Sequence, residues 1–256
     1  MNKALAFRWK GDLACFRDFS ETGKLFPTTQ IPNPLQLSGL LGAILGLSGY
    51  GKVSDINKYT NDEVNLPEFY EKLKGIEYAI CQDINCFESK IEIINNHTGL
   101  YFTKGQSMQI MQEFLINPEY KIYIRYSDDY SELYNDLKTR LKNKESEYQV
   151  YLGKPELFAD IEFVGEYPIE NISNENIKID NWISEELIEG FVEERISLGN
   201  RNSKKFKNKT SLFTDIFEKT LIKKDKKTFI FTNNLISKYD NECFQIENTK
   251  ISFNKI

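Results

Sequence analysis

Two hydrophobic periods organise the first two-thirds of the chain. Residues 4–9 (ALAFRW) are a short apolar run that predicts a strand. A loop follows with Arg17, Lys24 and three prolines, Pro27, Pro32 and Pro34. The segment NPLQLSGLLGAILGL then puts Leu37, Leu40, Leu41, Ile44 and Leu45 on one stripe at helical spacing. Asn33 is placed as its N-cap and Pro34 as its first residue. Gly39, Gly42, Ala43 and Gly46 lie on the same helix. Glycine costs about 1 kcal/mol per helical position relative to alanine, so these small residues predict close packing, helix on sheet. Residues 51–66 are polar and weakly patterned, which predicts a loop. Residues 76–82 and 91–102 predict strands, with Gly99 and Gly105 punctuating a long hairpin, and YKIYIRY (120–126) alternates as a half-buried strand. SELYNDLKTRLKNKE repeats Leu133, Leu137 and Leu141 every four residues, an amphipathic helix, and FADIEFVG (158–165) alternates again. The class is α+β and the order β-α-β-β-α-β, the ferredoxin-like arrangement also used by RNA-recognition folds.

Composition sets the bounds. The 256 residues fit one large or two small domains, and 40% hydrophobic with 13% aromatic residues are enough to bury a core. The division expected is a palm over 1–168, with a hairpin thumb at about 91–112, and a small β-rich domain over 169–256. No stretch approaches the roughly 18 apolar residues of a membrane span, and the start MNKALAFRWKGD lacks the apolar core of a signal peptide. A cytoplasmic protein without a membrane partner is expected. Cys15, Cys81, Cys86 and Cys243 read as free thiols. Cys81 and Cys86 have the spacing of half a zinc site, but no second close pair completes it. His97 is the only histidine, which excludes metal sites needing two or three, and neither metal nor cofactor is expected.

The net charge of −5 conceals segregation. Residues 156–194 hold twelve acids against one lysine, and residues 201–227 hold ten bases against three acids. Short apolar pieces such as residues 228–231 mark the tail as β-rich, although its pairing is not legible. Adjacent carboxylates such as Glu185 with Glu186 read as a solvated acidic face.

Three separated segments carry the most specific signal. ALAFRWKGDLACFRDF with FPTTQIPNPLQLSGLLGAILGL resembles the start of the Cas five family of CRISPR-associated proteins. QEFLINPEYKIYIRY (112–126) and YLGKPELFADIEFVG (151–165) resemble that family's type I-B branch, in the same order and at similar spacing. The resemblance covers about residues 1–168 and extends only loosely into the tail. It implies a structural subunit of Cascade, the RNA-guided antiviral surveillance complex. Such a subunit has a ferredoxin-like palm, a hairpin thumb and a smaller C-terminal β domain. Its implied partners are the 5′ handle of the crRNA, the Cas seven backbone filament that it caps, the large PAM-reading subunit and, indirectly, target DNA. In most subtypes the family is not enzymatic.

The residues themselves suggest where RNA would be held. Only six arginines stand against 27 lysines, and Arg17 lies in the first loop. Its rigid five-donor fork suits phosphates and base edges, the alternative being an ion pair with Asp18 or Asp12. Lys24, Thr28, Thr29 and Gln30 supply donors on the same loop, and Tyr101, Lys104 and Gln106 supply an aromatic and polar groups on the thumb. Lys204, Lys205 and Lys207, within a basic run, offer a phosphate track or else a solvated loop. A rival reading is a metal-independent endoribonuclease that processes pre-crRNA, which needs a base, an acid and a cation for phosphate charge, roles that His97, Tyr101 and Lys104 together could fill. Their spacing reproduces no known motif, and the expectation is a binding module.

Overall fold

The computed structural model describes residues 3–18, 23–49, 66–96, 108–126, 131–192, 205–218 and 221–255. The loop expected over 51–66 lies almost entirely outside them, as do Gly99 and Gly105.

The central sheet takes β1 (Lys3–Lys10) from the first apolar run. Two short strands, β2 (Leu13–Ala14) and β3 (Leu25–Phe26), follow in the first loop, and then helix α1 (Pro34–Leu45). Asn33 caps α1 as expected, accepting from Gln36 N at 2.8 Å, while Gln36 Oε1 accepts from Asn33 N at 2.9 Å. This reciprocal capping box is worth about 1 kcal/mol. Helix α2 (Glu68–Leu73) crosses α1 at Gly42, where a Cβ would lie 2.7 Å from Phe69 Cβ. Only part of the small-residue expectation therefore holds. Gly42 admits a neighbouring helix rather than the sheet, whereas Gly39 faces open space.

Strand β4 (Glu77–Cys81) enters the sheet, and the hairpin β5 (Ser89–Asn96) with β6 (Met108–Ile116) leaves it before β7 (Glu119–Arg125) returns. Helix α3 (Ser131–Asn143) leads to β8 (Asp160–Pro168). The alternation read from Phe158 starts too early. Residues 152–157 form a turn closed by Leu152 N to Leu157 O, 2.8 Å, so the strand begins at Asp160 and Phe158 stays 67% exposed.

The tail supplies β9 (Glu170–Ile172), β10 (Glu175–Ile177), β11 (Ile183–Ser184), β12 (Ile188–Phe191), β13 (Lys207–Glu218) and β14 (Leu221–Thr232). It ends with β15 (Ile236–Tyr239), β16 (Cys243–Ile246), β17 (Thr249–Ile251) and β18 (Asn254–Lys255). The central sheet runs β18-β4-β7-β1-β8, all neighbours antiparallel. Among the described residues no helix is long and apolar enough to cross a membrane.

Burial on both faces explains the near-continuous apolar run of β1. Leu5, Phe7 and Trp9 join the core under α1 and α3, while Ala4 and Ala6 join Ala79, Phe244, Ile251 and Phe253 on the opposite face. Small side chains there let the tail lie close. Arg125 ties the two layers. It pairs with Glu77 on the neighbouring strand, and its guanidinium lies 4.5 Å from the Phe244 ring centre and 5.0 Å from that of Phe253. The helix-side core also takes in Trp182, Leu212, Phe229 and Phe231, so the β-rich tail and the central sheet with its helices share apolar packing.

Helix α2 carries a pH-sensitive contact. Glu68 accepts from Lys72 at 2.7 Å and from Ser48 N and Oγ at 2.9 Å each, and these donors, Lys72 first, hold its carboxyl at about 2. A pKa lowered by folding contributes stability above the unfolded value of about 4.3 and loses it as pH falls toward 2. We expect the melting-temperature gap between wild type and Glu68→Gln, followed by circular dichroism, to close as pH drops from 5 to 2. A constant gap would assign the stability to something other than this charge.

Candidate nucleic-acid interface

The first loop is folded back against the hairpin and the turn at residues 152–157. Leu13 and Ala14 pair with Ile116 and Leu115, and Leu25 and Phe26 run parallel to Met111 and Gln112. Its neck is closed by Thr29 N to Phe16 O, 2.8 Å, and Asp18 N to Pro27 O, 2.9 Å, with Arg17 and Thr28 in an antiparallel bridge. Arg17 is exposed, and its guanidinium lies 4.1 Å from the Phe26 ring centre. Stacking on an aromatic face holds a guanidinium in a defined orientation, and its planar fork is the shape that matches a phosphate or base edge.

The other donors expected on this loop divide. Lys24 is exposed, and its carbonyl accepts from Met111 N at 3.0 Å. Thr28, Thr29 and Gln30 are committed to the protein. Thr28 Oγ1 accepts from Phe16 N at 2.8 Å, and Thr29 Oγ1 donates to Ile31 O at 2.7 Å. Gln30 brackets Phe87, accepting from its N at 2.9 Å and donating to its O at 3.4 Å. These three side chains shape the loop that displays Arg17.

Beneath the loop lies a cluster that sequence reasoning missed. Gln112, 2% exposed, donates through Nε2 to Cys15 Sγ at 2.9 Å and to Phe26 O at 3.0 Å, and its Oε1 accepts from Lys154 Nζ at 3.1 Å. Burial raises the Cys15 thiol above its ordinary range, against the opposing pull of Lys154. The turn holding Lys154 is seated by Cys15 N to Leu152 O, 3.0 Å, and by Gly153, which has φ 88°. A Cβ on Gly153 would lie 2.0 Å from Cys15 O. Cys15, Gln112 and Lys154 come one from each of the three segments singled out in the sequence. The signal that could have found them was the beginning of the second segment at Gln112 and the Gly153-Lys154 pair in the third.

On the hairpin, Ile91, Ile93 and Met111 are exposed, with Ile93 directly opposite Met111. Glu113 accepts from Ser89 Oγ at 2.6 Å and from Thr28 N at 3.0 Å, joining the hairpin to the first loop. Tyr101, Lys104 and Gln106, and His97 of the nuclease reading, lie outside the described residues, as does Lys204. Lys205 is exposed just before β13. Lys207 is on β13 rather than in a loop, its Nζ 4.4 Å from the Phe191 ring centre. The basic run is therefore partly a strand; lysines interrupt the apolar alternation that would have announced it.

No family model matches the chain, and no curated protein sequence matches it. Solved structures similar to it include CRISPR-associated proteins. One is a CRISPR protein from Archaeoglobus fulgidus, 9% identical, covering 99% of each chain at a TM-score of 0.46. Another is a chain of a CRISPR RNA-guided surveillance complex, 9% identical over 91% of each chain, TM-score 0.45. A third is a Cas protein, 14% identical over 91% of this chain and 95% of the other, TM-score 0.41.

Proposed function

We propose that the chain is a non-catalytic architectural subunit of a type I-B Cascade, of the Cas five family, that binds the 5′ handle of the crRNA. It caps the Cas seven filament beside the large PAM-reading subunit and meets target DNA indirectly. The observation that carries this reading is the convergence of the three family-like segments on one hydrogen-bonded cluster beneath the exposed Arg17–Phe26 pair. The antiparallel order β4-β7-β1-β8, with α1 and α3 as the crossovers, supports the ferredoxin-like reading, and the β5–β6 hairpin inserted between β4 and β7 supports the thumb.

Fluorescent repeat-derived RNA, titrated at fixed salt without divalent ions, tests it. A hydrogen bond to a charged group is worth about 1.5–3 kcal/mol, so Arg17→Ala should weaken binding roughly tenfold to a hundredfold. Unchanged affinity would remove Arg17 from the site. The RNA recovered from the titration in EDTA should be full length, and site-specific cutting abolished by His97→Ala would replace the binding module with the nuclease.

A further inference from the structure

The β13–β14 ribbon carries charge that handle binding does not use. Its strands are twelve residues each, in unbroken antiparallel register from Lys207↔Thr232 to Glu218↔Leu221, about 40 Å at roughly 3.4 Å per residue. The root is fixed. Ile183 pairs with Ile230, the Trp182 ring stacks on Phe231 at 5.6 Å, and Leu212 and Phe229 are buried. Asn208 Nδ2 donates to Asn85 O, in the same connection as Phe87, which Gln30 brackets. The root is thus linked through one loop to the segment that displays Arg17.

Alternation sorts the ribbon into two faces. Asp225, Lys227 and Phe229 line a cleft of about 640 Å³ whose far side includes Leu35 and Tyr70 of the palm. Lys207, Lys209, Ser211, Thr228 and Lys226 share the other face, and its three lysines are exposed. Lys223 and Lys224 continue β14 opposite Ile216 and Asp215. The ribbon therefore carries six lysines against Asp215, Glu218 and Asp225. Lys209 pairs with Glu185 at the surface, a contact worth at most about 1 kcal/mol and readily exchanged for a phosphate.

We propose that the outer face of this ribbon, at Lys207, Lys209 and Lys226, is a second polynucleotide site that holds a phosphodiester backbone without reading its sequence. It is separate from the Arg17 site and goes beyond handle binding. Lysine is a point charge with no planar fork, which suits a phosphate track better than base recognition. The face is anchored at its root, so binding does not have to fold it.

The test is fluorescence anisotropy of the full chain with labelled 20-mers of deoxythymidine and of uridine, at several salt concentrations. Lys207→Glu with Lys226→Glu should weaken binding at least about tenfold and reduce the salt slope by about 1.4, the share of two phosphate contacts on a single strand. In an Arg17→Ala background the same ribbon pair should still reduce the salt slope by about 1.4, whether or not Arg17→Ala itself weakens handle binding, so failure of the handle reading and failure of the ribbon are distinguishable. The tighter of the two probes identifies DNA or RNA as the source of the strand. Lys178→Glu with Lys250→Glu, two exposed lysines elsewhere in the tail, controls for net charge. An equal loss in that control, no binding of either probe by the wild type, or binding indifferent to Lys207 and Lys226 would overturn the proposal. Equal melting temperatures of the variants exclude loss of fold as the cause.

Discussion

Gly153→Ala is expected to lower the melting temperature by roughly 6–12 °C and to abolish handle binding with it. The backbone at Gly153 has φ 88°, where a residue with a Cβ is strained by about 1–2 kcal/mol. Its Cβ would also lie 2.0 Å from Cys15 O and 2.7 Å from Cys15 C, both backbone atoms that cannot rotate away. Strain and collision together should cost at least about 3 kcal/mol, and a chain this size shifts by about 2–4 °C per kcal/mol. The displacement would travel. Phe16, next to Cys15, holds Thr28 through its N and Thr29 through its O, and those contacts set the bridge at Arg17. Calorimetry and the RNA titration measure both effects. Gly39→Ala is the internal comparison, because Gly39 opens onto space and alanine favours helix by about 1 kcal/mol. If Gly153→Ala melts within about 2 °C of wild type, the turn is not held by Cys15 as described.

The second large effect is expected at Trp182. The side chain is 1% exposed, stacks on Phe231 at an interplanar angle of 26°, and donates from Nε1 to Gln82 Oε1 at 2.9 Å. Trp182→Ala should cost about 3–5 kcal/mol from lost packing, with a further penalty because Gln82, 6% exposed, loses its donor. Trp182→Phe keeps an aromatic ring against Phe231 and loses only the donor, so its cost should be about 1–3 kcal/mol. Denaturant midpoints with unchanged slopes would give both numbers. A cost below about 1 kcal/mol for the alanine variant would mean that palm and tail unfold independently at this contact.

Local signals were legible in the sequence because local physics decides them. Asn33, Pro34 and the leucine stripe announced α1, and YKIYIRY announced β7, since capping and alternation act within a few residues. The hidden features are non-local. Gln112 looked like an ordinary polar residue at the start of a strand, and only the fold places it between Cys15 and Lys154. Thr28, Thr29 and Gln30 looked like free donors because their partners, Phe16, Ile31 and Phe87, are partly remote in sequence. The ribbon was obscured for a different reason. A ribbon with a solvated face needs no apolar alternation along its length, and its lysines resembled a loop.

The pairing of β18 with β4, where Asn254 lies opposite Tyr78, makes the order of folding matter. Contacts this distant along the chain are entropically slow to close. Until residues 254 and 255 emerge from the ribosome, the β4 edge of a nearly finished sheet has open hydrogen-bonding groups, and exposed edges recruit strands from other chains. This part of the tail thus also acts as an edge guard. Overproduction without time for that closure would favour edge-to-edge aggregation over native protein.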